Sequence, residues 1–136
     1  MKRKELILYL QKIFQQHDLS KNHSLICAQY LVKSELIGAK SHGLARLKMY
    51  CDRIKKGVIN PKPKIKVKKL TSSIFHINAD NSIGFVAADM GIQCAIKSAQ
   101  KNGMGLVAIK KSGHYGLSSF YAEQAVKKNL IVFCFT

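Results

Sequence analysis

Residues 102–116 read NGMGLVAIKKSGHYG, and this stretch decides the fold. The Asn-Gly-Met-Gly cluster stops whatever helix precedes it. LVAIK is then a short, uninterrupted apolar run of strand length. Such runs belong to parallel strands buried on both faces. SGHYG follows at once, and a helical pattern resumes from Leu117 or Ser118 to Lys128. In parallel α/β units, ligands bind beyond the carboxyl ends of the strands, where SGHYG falls. Its glycines let the backbone turn sharply and approach a ligand, and they present His114 at the strand's mouth. LIVFCFT, residues 130–136, reads as a second apolar strand. The two strands and the helix between them then make a right-handed βαβ unit. A run this apolar needs partners on both faces and both edges, so the sequence is expected to be a fragment of a longer protein.

Working upstream, the periodicity predicts a helix from Phe85 to about Lys101, with Val86, Met90, Cys94 and Ala95 on its buried side. NADNSIG before it reads as a loop. NPKPKIKVKK carries two prolines, which exclude helix. Lysine then alternates with Ile65 and Val67, the pattern of an edge strand whose charges discourage pairing with other chains. IFHIN is its returning partner, and His76 within it reads as a structural histidine. Residues 1–58 form a three-helix unit. A first helix spans residues 3–16 with Leu6, Leu10, Ile13 and Phe14 on one stripe. A second is capped by Ser20 or Asn22 and runs to about Ile37, burying Leu25, Ala28, Leu31, Val32 and Leu36. A third contains Leu44, Leu47, Tyr50, Cys51 and Ile54 and stops at Gly57. The expected fold class is therefore α/β: an N-terminal helical unit (1–58) followed by the first part of a mixed α/β sheet domain (59–136), truncated.

The third helix opens on a second stretch with chemistry in it, SHGLAR at residues 41–46. Ser41 suits a cap position. His42 and Arg46 are four apart and share a face. An imidazole near both a helix N-terminus and a guanidinium meets positive potential twice, which favours its neutral, proton-accepting form. Arg46 offers a planar fork that fits a carboxylate. Together they suit a small organic acid with a hydroxyl or keto group beside its carboxylate. The plainer alternative is a capping serine, a partly exposed histidine and an arginine paired with an acid.

Bulk properties narrow the classes further. The four cysteines, at 27, 51, 94 and 134, lack zinc-ligand spacing, so no metal site is expected. No apolar run approaches the ~20 residues of a membrane span. The N-terminus reads as an amphipathic helix rather than a signal peptide, so a cytoplasmic location is expected. The formal charge is +16, and Arg53–Lys69 holds eight basic residues and no acidic one. A lysine-rich module binding nucleic acid or another anionic surface is thus the alternative reading. Against it, arginine occurs only at 3, 46 and 53, and no aromatic side chain lies between Arg53 and Lys69 to stack a base.

Taken together, SHG-x2-R-x3-Y and, farther on, the stretch ending QKNGMGLVAIKKSGHYGLSSFYAEQAVKKNLI resemble the second, non-Rossmann family of malate/L-lactate dehydrogenases. That family also includes ureidoglycolate dehydrogenase, diketogulonate reductase and piperideine-carboxylate reductase. The resemblance covers nearly the whole chain. It implies hydride transfer between NAD or NADP and a small 2-hydroxy or 2-keto acid, in a cytoplasmic homodimer with a shared cleft. It makes His42 and His114 the candidate proton donor or acceptor. Ser41 and Arg46 match positions that hold the substrate or orient the histidine. Contacts to the dinucleotide fall mostly beyond Thr136. Lys40, Ser119 and Asn129 depart from the family pattern, the first at an acidic position and the other two where glycine is common.

Overall fold

The computed structural model describes residues 2–136. The chain divides into two compact units, Met1–Pro63 and Lys64–Thr136. The first is helical and the second is built on a mixed three-stranded sheet.

In the first unit, α1 (Arg3–Gln16) and α2 (Lys21–Leu36) pack as a hairpin. Ser20 provides the start of α2, its hydroxyl accepting the His23 N–H at 3.2 Å. Gln11 Nε2 donates to the Lys21 carbonyl at 2.9 Å and ties α1 to that start. Leu10, Phe14, Cys27, Ala28, Leu31 and Val32 fill the interface as the periodicity predicts, but Leu36 lies on the surface, 61% exposed. The chain then makes two 3-10 turns, Lys40–His42 and Leu44–Arg46, before α3 (Leu47–Lys55) begins. Tyr50, Cys51 and Ile54 bury the inner face of α3, and Gly57 ends it with φ +70°.

In the second unit, β1 (Lys66–Lys69) pairs antiparallel with β2 (Ile74–Ser82), and β2 pairs parallel with β3 (Leu106–Ser112), giving the order β1-β2-β3. β1 is an outer strand, as the lysine alternation predicts, but all four of its residues are exposed, Val67 on the supposed inner face included, at 45%. The parallel pair is closed by α4 (Gly84–Asn102), so the βαβ unit runs β2-α4-β3. Gly103 ends α4 at φ +82°, its N–H donating to the Ala99 carbonyl at 2.9 Å. Ser98 Oγ donates to the Met104 carbonyl and Asn102 Nδ2 to the Ser72 carbonyl, which fasten the helix end to the sheet's turn.

Three local readings are corrected. NADNSIG is not a loop: residues up to Ser82 belong to β2, which bulges between Asn78 and Ser82 with Asp80 and Asn81 at positive φ. A bulge absorbs the extra residues while the ladder resumes at Ser82–Ser112. The buried side of α4 is formed by Phe85, Val86, Ala87, Ile92 and Ile96, with Met90, Cys94 and Ala95 only half-buried, because Gly91 places the sheet contact one step round. LIVFCFT forms no strand. It is extended after α5 (Ser119–Val126), with Leu130, Val132 and Cys134 half-buried and Ile131, Phe133 and Phe135 exposed. Its side chains alternate as a strand's do, but no neighbouring ladder pairs with it.

Two predictions follow from the packing. A Cβ at Gly105 would overlap the Ala95 carbonyl oxygen, a backbone atom that cannot swing aside. Gly105→Ala should therefore cost about 1–3 kcal/mol in denaturant unfolding. Burial lowers the pKa of His23 below its ordinary 6.5. The unfolded chain then binds more protons as pH falls toward and below that value, so this residue's contribution to stability declines as pH drops below it. His23→Gln should flatten that part of the Tm–pH curve.

Candidate functional site

Two stretches carry the candidate chemistry, one in each unit. In the first unit, Ser41, His42 and Arg46 form a single knot. Arg46 Nε donates to the Ser41 carbonyl at 2.6 Å, folding the guanidinium back over the turn. Its Nη1 reaches Met49 Sδ at 3.8 Å. Ser41 Oγ lies 3.1 Å from His42 Nδ1. The structure thus brings three of the four candidate residues together, and all three remain reachable from solvent.

The local geometry differs from the sequence reading in one respect. Ser41 does not cap a helix: its hydroxyl is turned to the imidazole, and regular α-helix begins six residues later at Leu47. His42 therefore draws nothing from the dipole of α3, whose field is confined to the first turn. No side chain caps α3; Glu35, near the end of α2, instead fastens the second 3-10 turn. Its Oε2 accepts the Leu44 N–H at 3.0 Å. Sequence reasoning missed Glu35 because it lies nine residues away, too far for a capping-box pattern. Tyr50, the last residue of the SHG-x2-R-x3-Y motif, is a core side chain. Burial, together with nearby Cys27, pushes its phenol up to about 12, although Arg46 and Arg53 pull it down. It stays protonated at neutral pH. A surface hollow of about 460 Å³ runs along α3, lined by Ala45, Lys48, Met49, Asp52, Arg53 and Lys56, but Ser41, His42 and Arg46 do not line it.

In the second unit, His114 follows β3 at the carboxyl end of the parallel pair, where the apolar run and glycines place it. The loop is held at every step. Gly113 N–H donates to the Ser82 carbonyl at 3.2 Å. Gly116 N–H donates to His114 Nδ1 at 3.3 Å, which puts the ring proton of the neutral form on Nε2. The Tyr121 hydroxyl donates to the Tyr115 carbonyl at 2.5 Å, with the two rings 5.3 Å apart. Gly116 takes φ +80° with its α-carbon face against Phe85, where a Cβ would lie 2.6 Å from the ring. The missed residue here is Gly84, at the start of α4. A Cβ there would overlap the carbonyl oxygens of Gly113 and His114 and sit 2.5 Å from the His114 carbonyl carbon.

This close approach also bears on a cofactor. At the N-terminus of α4, the helix end where a parallel unit would receive a phosphate, the Gly113 and His114 carbonyls lie where a Gly84 side chain would go. Among the described residues there is also no group of three potential metal ligands, and no helix is long and apolar enough to cross a membrane.

The sequence profile of the malate/L-lactate dehydrogenase family matches residues 1–136. The chain is 38% identical over 116 residues to ureidoglycolate dehydrogenase (NAD(+)) of Escherichia coli O157:H7, covering 85% of this chain and 33% of that protein. It is 35% identical over 120 residues to malate/(S)-sulfolactate dehydrogenase of Methanothermus fervidus, covering 88% and 35%. The solved structure of malate dehydrogenase from Pyrococcus horikoshii superimposes with a TM-score of 0.90 at 32% identity, over 94% of this chain and 37% of that one. The chain thus spans about a third of the length of the relatives it matches.

The two loop glycines should separate by mutation. Gly84→Ala has no room and should cost about 1–3 kcal/mol, shifting the His114 ring signals in NMR spectra. At Gly113 a Cβ would meet the Ser82 carbonyl oxygen at 3.7 Å and the Gly84 nitrogen at 3.8 Å, ordinary contact. Gly113→Ala should leave both the Tm and those signals close to wild type.

Proposed function

The chain belongs to the malate/L-lactate dehydrogenase family, and from that premise we propose that it carries the proton-transfer and carboxylate-binding residues of a 2-hydroxy-acid dehydrogenase. The substrate class is a small acid with a hydroxyl or keto group next to its carboxylate, malate- or lactate-like. The observation that supports this best is the Ser41–His42–Arg46 knot, which joins an imidazole to a guanidinium within six residues.

In this reading Arg46 holds the substrate carboxylate. Its Nε is committed to the Ser41 carbonyl, so the rest of the fork is oriented by the turn rather than by the flexible stem. Fixing the carboxylate in this way converts a collision into an oriented encounter. Ser41 orients His42 through the contact of its hydroxyl with Nδ1. His42 and His114 are the proton-transfer groups. His114, with Nδ1 accepting from Gly116, carries its proton on Nε2. In that form the ring hydrogen-bonds the oxygen of a 2-keto acid through Nε2–H; to give up a proton as C2 is reduced, it must first gain one on Nδ1 in place of the Gly116 contact, and the neutral ring left after transfer takes the proton back in oxidation. A nicotinamide cofactor, NAD or NADP, supplies or accepts the hydride. The steps assigned to this chain concern only the proton and the carboxylate. A homodimer in the cytoplasm belongs to the same proposal, and sedimentation at several concentrations tests the assembly.

The test is to express the coding region together with any sequence that continues it, and to assay NADH- and NADPH-dependent reduction of pyruvate, oxaloacetate and related 2-keto acids. Turnover is expected there, and none of use from the 136-residue chain alone. His114→Asn and His42→Asn should lower kcat by about 10²–10⁴-fold for whichever imidazole is the proton donor. Losses that fail to multiply in the double variant would show both serving one substrate. Arg46→Lys should raise KM. An unmoved kcat in both histidine variants would end the proposal.

A further inference from the structure

Glu35 occupies the end of α2 and reaches the turn that presents His42. Its Oε2 accepts the Leu44 N–H at 3.0 Å, and that N–H opens the second 3-10 turn, where the first amides have no partner within the turn. The fit is close enough that a side chain at Gly43 would have to displace the Glu35 carboxylate. A Cβ there would overlap Oε2 and stand 3.1 and 3.2 Å from the Glu35 backbone nitrogen and α-carbon. The turn is therefore pressed against the end of α2 on one side. On the other it is closed by Arg46 Nε on the Ser41 carbonyl. His42 lies between these two fastenings. The bond from a carboxylate is charge-assisted, about twice as strong as one from a neutral acceptor. Asp at this position would fall one methylene short of the amide.

We propose that Glu35 is a positioning residue for His42: its carboxylate locks residues 41–46 in the conformation that fixes the directions of the imidazole and the Arg46 guanidinium. The proposal rests on the roles given to His42 and Arg46 above, but its geometry is testable without them.

The experiment uses the 136-residue chain, labelled for amide exchange and for histidine-ring NMR, as wild type, Glu35→Ala, Glu35→Gln and Glu35→Asp. In Glu35→Ala, exchange of the Leu44 amide should quicken by roughly tenfold or more. The His42 ring signals should shift or broaden, while the Leu31 and Val32 amides in the core of α2 stay protected. Glu35→Gln, which keeps an acceptor oxygen at the same reach, should restore most of the wild-type His42 signals. Glu35→Asp should not. Unmoved His42 signals in a folded Glu35→Ala overturn the proposal. If the alanine variant unfolds, the Gln and Asp variants decide: equal displacement of His42 in both overturns it too. In the family-length enzyme, Glu35→Ala should lower kcat, with Glu35→Gln recovering it. A wild type that reduces no 2-keto acid defeats the functional reading alone and leaves the NMR result standing, whereas an active wild type whose Glu35→Ala variant keeps full kcat defeats the positioning role alone.

Discussion

The second unit depends on backbone meeting backbone along one helix. α4 lies against β3 with a glycine at each point of closest approach. Gly84 admits the Gly113–His114 carbonyls at its start, Gly91 admits Ile109 at 2.8 Å from where a Cβ would be, and Gly105 admits the Ala95 carbonyl at the far end. A Cβ at Gly84 or Gly105 would press on backbone carbonyls that cannot swing aside, so the helix would lift off the strand there, whereas at Gly91 the tip of Ile109 would have to turn away. The SGHYG loop inherits its position from this contact. His114 is held where it is less by its flanking glycines than by a glycine thirty residues earlier.

The two histidines are supported by different means that reach the same result. His114 Nδ1 is engaged by the Gly116 amide and His42 Nδ1 by the Ser41 hydroxyl. In each case the partner is one or two residues away, so the orientation is set locally and survives small movements of the surrounding elements. Distant contacts then fix the local turn itself: Tyr121 on Tyr115 for one, Glu35 on Leu44 for the other. A catalytic side chain needs both levels, since a well-oriented ring on a loose loop is not well oriented.

Much of this was legible in the residues, and what was not has identifiable causes. Helices α1, α2 and α4, the lysine-rich outer strand and the stop at Gly103 follow from periodicity and turn chemistry, which are local. The placement of His114 at a strand end was equally readable, but Ser41, His42 and Arg46 were read as the capped start of a helix, not as a knot in two 3-10 turns. Contacts between distant residues were not. Glu35 and Gly84 act through space on segments nine and thirty residues away. NADNS looks like a loop because its Asn and Asp residues favour turns, yet here they occupy the positive-φ positions of a bulge within β2. Ser41 looked like a helix cap because a cap and a hydroxyl beside an imidazole use the same residue. LIVFCF has the composition of a strand, but a strand is defined by its neighbours and composition does not report them.

That last segment has an energetic consequence. Ile131, Phe133 and Phe135 are 91, 77 and 86% exposed, and the two phenyl rings stack on each other, 6.3 Å apart. Taking a side chain of this size out of water is worth about 1.5–3 kcal/mol, and a whole domain's net stability is only about 5–15 kcal/mol. Three such residues at alternate positions therefore make the fold's free energy sensitive to its surroundings: whatever shelters them shifts the balance between folded and unfolded chain by an amount comparable with all the rest of the folding forces left over after entropy.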